Sequence, residues 1–169
     1  MQEVSSWVVV VVDNDMFNLD IAAQMLELFD ATVHTADSGE KGLELLDQIK
    51  PTFMLLDLSM PNMDGWEVLK VIRTKPALDY LPVIALTAHA MAGDEQRALS
   101  AGFDGYITKP FKVENLVDDI QVILTKIQRP AKSEDVPAIT PQPEPVAEVA
   151  VISGIREQSV GEPIEKPQP

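Results

Sequence analysis

The sequence predicts an α/β fold, a doubly wound five-stranded parallel sheet with helices on both faces. Three observations lead there. Five short strand-like runs alternate with stretches of helical periodicity along residues 7–127. The runs 7–12, 53–56 and 83–86 are apolar without alternation, as strands buried on both faces are. The connecting helices are long enough to carry right-handed crossovers between parallel neighbours.

The first strand is the short, β-branched, unbroken run 6–12, and it ends in Asp13-Asn14-Asp15. A helix follows over 17–29, with Leu19, Ala22, Ala23, Leu26 and Phe29 inward and Asp15 or Asn14 as its N-cap. Residues 32–36 alternate weakly and form the second strand. Ser38 caps a second helix whose apolar side is Leu43, Leu45, Leu46 and Ile49, and Pro51 ends it. The third strand, 52–56, leads to Asp57.

After Met60-Pro61, Asp64 caps a third helix that starts at Gly65, with Trp66 partly buried at its start. Pro76 and Pro82 bracket a loop. The fourth strand, 82–86, ends in Thr87-Ala88-His89, and a helix over 90–101 is stopped by Gly102. The fifth strand, 104–107, leads into Thr108-Lys109-Pro110-Phe111. The last amphipathic helix spans 113–127, with Leu116, Val117, Ile120, Ile123, Leu124 and Ile127 inward.

Composition bounds the rest. A chain of 169 residues accommodates one domain with a real core plus an appendage. Residues 130–169 hold eight prolines, seven acidic and three basic residues and no aromatic, so a domain over 1–129 and a Pro-rich, acidic, disordered tail are expected. The apolar patch 146–152 in that tail reads more simply as chance hydrophobicity than as a docking motif. A net charge of −14 argues against binding DNA or an anionic membrane surface. The absence of Cys excludes disulfides and thiolate metal sites, and His34 and His89 are too few for a histidine-rich one. His34 is expected on the surface of its strand. The run 7–12 is too short to span a membrane and has no basic flank before it, so a cytoplasmic protein is expected.

In a parallel sheet the carboxyl ends of the strands share one rim, where open α/β sheets bind ligands. Asp13-Asn14-Asp15, Asp57, Thr87 and Lys109 all fall there. Clustered carboxylates repel and raise one another's pKa, a conflict that a divalent cation removes. Carboxylate, amide and carbonyl oxygens suit Mg²⁺. A Lys and a Thr hydroxyl can hold phosphoryl oxygens, and a carboxylate can be the nucleophile. The set therefore points to phosphoryl transfer onto Asp57. Singly, Asp13 reads as a helix cap, Lys109 as a solvated lysine and Thr87 as a strand end. Their common rim outweighs those readings.

An acidic group after strand one, Asp57-x-x-Met60-Pro61-x-Met63-Asp64-Gly65, Leu86-Thr87-Ala88 and Lys109-Pro110-Phe111 occur in this order at strand ends. With these motifs the chain resembles, over roughly residues 5–128, the receiver domain of two-component response regulators. The chemotaxis response regulator, which typifies that group, is a standing example of the flavodoxin-like strand order 2-1-3-4-5 that the resemblance implies. It further implies that Asp57 is a phosphoacceptor served by a sensor histidine kinase or a histidine phosphotransfer protein. Asp13, Asn14, Asp57 and the backbone carbonyl of Ser59 would hold Mg²⁺, and Thr87 and Lys109 would contact the phosphoryl oxygens. Thr87 and Tyr106 would form a switch that remodels the strand 4, helix 4, strand 5 face for a downstream protein target, although core packing explains Tyr106 equally well. Lys109-Pro110 is expected to be cis. His89 and Ser59 stand where family side chains modulate hydrolysis of the aspartyl-phosphate. Such a domain is a phosphoacceptor with self-directed phosphoryl transfer and autodephosphorylation, not an enzyme acting on other molecules.

One departure stands out. The family pattern has two adjacent acids after strand one, and the second position here is Asn14. Weaker Mg²⁺ binding is expected, unless Asp15 compensates. Two rivals follow. Asp13-x-Asp15 after a valine run resembles the first motif of haloacid-dehalogenase-type phosphatases, with Asp13 as nucleophile, but Phe17 and the unexplained Asp57 count against it. Asn14 is the support for a phosphorylation-independent pseudo-receiver. No DNA-binding or enzymatic output domain follows residue 129, so output is expected through protein contacts, and Met1 and the tail fit a stand-alone protein.

Overall fold

Short β-branched and apolar segments form the strands, the three central ones enclosed on both sides, and the helices between them supply the covers. The computed structural model describes residues 4–88, 93–112 and 115–127. His89, the starts expected for the last two helices at Ala90 and Val113, the tail 130–169 and its patch 146–152 lie outside the described residues. In order come β1 (Val8–Val12), α1 (Met16–Glu27), β2 (Thr32–Ala36), α2 (Gly39–Gln48), β3 (Phe53–Asp57), α3 (Gly65–Thr74), β4 (Val83–Thr87), α4 (Asp94–Ala101), β5 (Gly105–Thr108) and α5 (Leu116–Lys126). The sheet is wholly parallel with the order β2-β1-β3-β4-β5, as expected.

Alternate residues of the central strands feed two cores. Val10, Val12, Met54, Leu56, Val83 and Ala85 face α2, α3 and α4, meeting Leu46, Val68, Leu69, Ile72 and Ala98. Val9, Val11, Phe53, Leu55, Ile84 and Leu86 face α1 and α5, meeting Leu19, Leu26, Leu116, Val117 and Ile120. Strand periodicity of two explains the split. None of the described helices is long and apolar enough to cross a membrane.

Helix starts follow local hydrogen bonding. Asp15 Oδ1 accepts the Phe17 N–H at 2.9 Å, and Ser38 Oγ accepts that of Lys41 at 3.3 Å. At α3, Asp64 Oδ1 accepts the Glu67 N–H (2.9 Å) while Glu67 Oε2 accepts the Asp64 N–H (3.3 Å), a reciprocal capping box. Gly102, in the left-handed region at φ 107°, ends α4.

Three expectations need correction. Phe29 is not inward: α1 stops at Glu27, Asp30 takes a left-handed φ of 64°, and Phe29 is half exposed. Met25 fills the inward place instead. Ile127 lies beyond α5 as its C-cap and is half-buried. Strands three and four also extend one residue further than their apolar runs, so that Asp57 and Thr87 are themselves strand residues. Asp57 pairs with Leu86 and Thr87 with Thr108, and ladder pairing rather than a loop sets their positions. His34 is half-buried on the edge strand β2.

A Cβ at Gly65 would overlap the carbonyl oxygen of Asp57 and come within 2.9 Å of Leu58 Cα, both backbone atoms that cannot rotate away. Gly65→Ala is expected to destabilise the domain by roughly 1–3 kcal/mol, as overpacking does. Urea unfolding checks this: the midpoint should fall with m unchanged, and an unaltered midpoint would show that the α3 start has room to move.

Candidate functional site

The rim at the carboxyl ends of β1, β3, β4 and β5 is built from three side chains that the tertiary fold brings together. Asp13, directly after β1, and Asp57, the last residue of β3, are 1% and 2% exposed. Lys109, directly after β5, donates from Nζ to Asp13 Oδ2 and to Asp57 Oδ1, each at 2.8 Å. Its backbone N–H donates to the Thr87 carbonyl at 2.7 Å, which fixes where its side chain starts. The peptide bond between Lys109 and Pro110 is cis, as expected.

Charge in this enclosure follows from burial. Burial pushes the Asp57 carboxyl above the usual carboxylate range, and the neighbouring Asp13 charge adds to that. The hydrogen bond and charge of Lys109 and the Ser59 backbone N–H oppose it. For Lys109, burial alone would lower the pKa, but the two carboxylates outweigh it and hold the ammonium above its ordinary value. The centre is therefore a cation shared by two acids, with one negative charge uncompensated when both are ionised.

Thr87, at the end of β4, is 5% exposed. Its side chain hydrogen-bonds the hydroxyl of Tyr106 on β5, which is half-buried and packs on the α2/α3 side of the core. Burial raises the Tyr106 pKa, the nearby Asp94 and Glu95 charges raise it further, and Thr87 opposes them. Tyr106 thus packs and also touches Thr87. It lines a groove of about 650 Å³ between β5, α5 and the start of α4, with Phe111 and Ile123 among its walls.

The remaining candidates sit at the margin. Asn14 and Ser59 are exposed. Asp15 caps α1 with Oδ1, and its backbone N–H donates to Asp13 Oδ1 at 2.9 Å. Asn18, which the sequence reading passed over, reaches the same Asp13 oxygen from the first turn of α1 at 3.5 Å. An Asn in the first turn of a helix gives no signal of this role before its carboxylate partner is placed. The oxygen set of Asp13, Asp57, the Asn14 amide and the Ser59 carbonyl fits Mg²⁺ in chemistry. With a neutral Asn14, no cluster of three acidic, His or Cys ligands exists among the described residues.

The model of the response regulator receiver domain matches residues 9–121. The chain belongs to the response-regulator receiver family. It is 38% identical over 121 residues to an uncharacterized 14.6 kDa protein of Leptolyngbya boryana, covering 72% of this chain and 92% of that one. It is 38% identical over 108 residues to the signal transduction histidine-protein kinase BarA of Escherichia coli, covering 64% of this chain but 12% of that kinase. Among solved structures, the chemotaxis protein CheY4 of Vibrio cholerae superposes with a TM-score of 0.65 at 25% identity, covering 69% of this chain and 98% of that one. The receiver fold and its placement in two-component signalling are thereby established.

The raised Asp57 pKa fixes a sign. A carboxyl that holds its proton more tightly when folded favours the folded state below its unfolded value of 3.8, and that contribution is lost as pH rises through the folded value. Without divalent cation, Asp57→Asn is therefore expected to raise the urea midpoint at pH 7, and the gain should shrink toward pH 3.5. A gain that is independent of pH would show that charge is not its source.

Proposed function

We propose that this receiver domain accepts a phosphoryl group on Asp57 from a phosphohistidine of a sensor histidine kinase or a histidine phosphotransfer protein. The observation that carries the proposal is the Lys109 Nζ held 2.8 Å from both Asp57 and Asp13. Its charge opposes the effect of burial on the Asp57 carboxyl, and it stands ready to meet a phosphoryl oxygen. The Asp57 oxygen forms the new O–P bond as the N–P bond of the donor breaks and its electron pair returns to the imidazole. Asp13 is a fixed charge rather than the nucleophile: Lys109 holds one of its oxygens, and Asp15 and Asn18 engage the other. Together with the family, this weighs against the phosphatase reading.

Asp13, Asp57, Asn14 and the Ser59 carbonyl are the residues that would hold Mg²⁺. When bound, the ion would offset the charge of the two carboxylates and of the incoming phosphoryl group. Thr87 would bind a phosphoryl oxygen through its hydroxyl and leave Tyr106, which carries the change to the β4/α4/β5 face, where a downstream protein reads it. The proposed division is a receiver over 1–129 and an appended tail over 130–169, with cytoplasmic action on protein partners rather than DNA.

Incubation with Mg²⁺ and acetyl phosphate tests the assignment by intact mass. One phosphate adduct is expected on wild type and none on Asp57→Ala. An adduct lost in Asp13→Ala but kept in Asp57→Ala would move the nucleophile to Asp13. No adduct on wild type would favour the phosphorylation-independent binding module to which the neutral Asn14 points. Calorimetric titration addresses the metal: Asn14→Asp should bind Mg²⁺ about tenfold more tightly, a gain of about 1.4 kcal/mol. Equal affinities would show that the amide serves as well as an acid.

A further inference from the structure

Helix α4 is lightly held along its length and firmly held at one end. Of its eight residues Ala98 is buried, while Leu99 is 40% exposed. Its C-terminal end is pinned by Arg73 of α3. That guanidinium donates to the Gly102 carbonyl from Nε (3.2 Å) and Nη2 (2.9 Å), and to the Leu81 carbonyl from Nη1 (3.1 Å). Nη2 also pairs with Asp104 Oδ2 at 2.8 Å, which accepts the Val83 N–H at 2.8 Å. One side chain thus ties the end of α4 to the starts of β4 and β5. At its other end α4 begins after Gly93, in the left-handed region at φ 104° with open space around it.

Between those ends, an aromatic contact stands out among the described residues. The Arg97 guanidinium of α4 sits 4.9 Å over the ring centroid of Trp66. Trp66 meets Phe103 edge-on, with centroids 5.4 Å apart and planes at 86°. It also follows directly on Gly65, which abuts the Asp57 carbonyl. The side of α4 is therefore fastened to a ring at the start of the helix that packs on the phosphoacceptor strand.

We infer that Arg97 and Trp66 form a latch that holds α4 in its resting position, with Arg97 acting as a positioning residue for the switch at Asp57. The inference rests on the receiver reading above. Gly93 and Glu95, at the start of α4, line one groove together with Tyr106, and Tyr106 pairs with Thr87. A shift of Thr87 toward a phosphoryl group on Asp57 therefore disturbs α4, which turns about the Arg73 clamp against the latch. Releasing the latch should populate the arrangement that accepts the phosphoryl group more readily.

Two measurements on the full chain test this, using Arg97→Met, Arg97→Lys, Trp66→Leu and the Arg97→Met/Trp66→Leu double variant. In amide hydrogen exchange without phosphodonor, Arg97→Met should speed exchange across 94–101 roughly two- to fivefold, the scale of one exposed cation–π contact. Exchange at 53–57 should not change, Arg97→Lys should retain most protection, and the double variant should exchange no faster than Trp66→Leu alone. With Mg²⁺ and acetyl phosphate, Arg97→Met should gain its Asp57 adduct roughly two- to fivefold faster than wild type. Unchanged α4 exchange, or additive effects in the double variant, would overturn the latch. Faster exchange with an unchanged or slower adduct rate would overturn the positioning role. If wild type took no adduct, the receiver reading would fail separately, and the exchange data would still decide whether the latch exists.

Discussion

Two carboxylates and one ammonium share a nearly water-free rim, and the rest of the architecture makes that arrangement tolerable. Withdrawing a charge from water costs several kcal/mol even after relaxation. Asp13, Asp57 and Lys109 are each at least 90% enclosed at their side chains, so the ammonium depends on both acids and each acid on the ammonium. Their geometry must therefore be held by something stiffer than the side chains themselves. The parallel ladder supplies this. Asp57 is paired into β3, Asp13 follows β1, and Lys109 is tied through its backbone to the Thr87 carbonyl. An unpaired member would leave an uncompensated buried charge, which is why neither the lysine nor one acid alone would be stable there.

That requirement explains features that otherwise look incidental. Gly65 lets α3 approach the backbone of Asp57, and the reciprocal Asp64–Glu67 cap begins the helix at that point. Asp15 and Asn18 occupy the Asp13 oxygen that Lys109 leaves, so the carboxylate is held from two sides. The apolar residues of β1, β3 and β4 are almost completely buried and offset the electrostatic cost of the rim. Stability is then distributed unevenly: the central strands are enclosed, whereas α4 hangs from one end and a side contact. A rigid rim beside a lightly held helix suits the proposed role, in which a phosphoryl group on Asp57 changes the β4/α4/β5 surface.

Much of the fold was legible because its causes are local. Unbroken apolar runs announce buried strands, and Ser38, Asp64 and Gly102 announce helix ends through hydrogen bonds and backbone freedom that need no tertiary context. Phe29 shows where periodicity misleads: it keeps the helical spacing of α1 but lies past the point where the backbone turns left-handed. The site residues were legible as a set of strand ends, since parallel topology sends all of them to one rim. Asn18 was not, because an Asn in a first helical turn has no signature until its carboxylate partner is placed. Nor was the Arg73 clamp, whose partners are the carbonyls of Gly102 and Leu81, and a carbonyl is the same in every residue.

The sequence by itself determined the alternation of elements, the caps, the parallel sheet and the residue types at its rim, because these follow from periodicity and short-range hydrogen bonding. Only the tertiary structure decided that Lys109 is shared by Asp13 and Asp57, that Asp15 rather than Asn14 caps α1, and that Thr87 touches Tyr106. It alone decided that Arg97 covers Trp66. Those contacts join residues far apart in the chain or choose among several uses of one side chain. Distance, burial and competition for hydrogen bonds settle such choices, and none of them exists before the chain has folded.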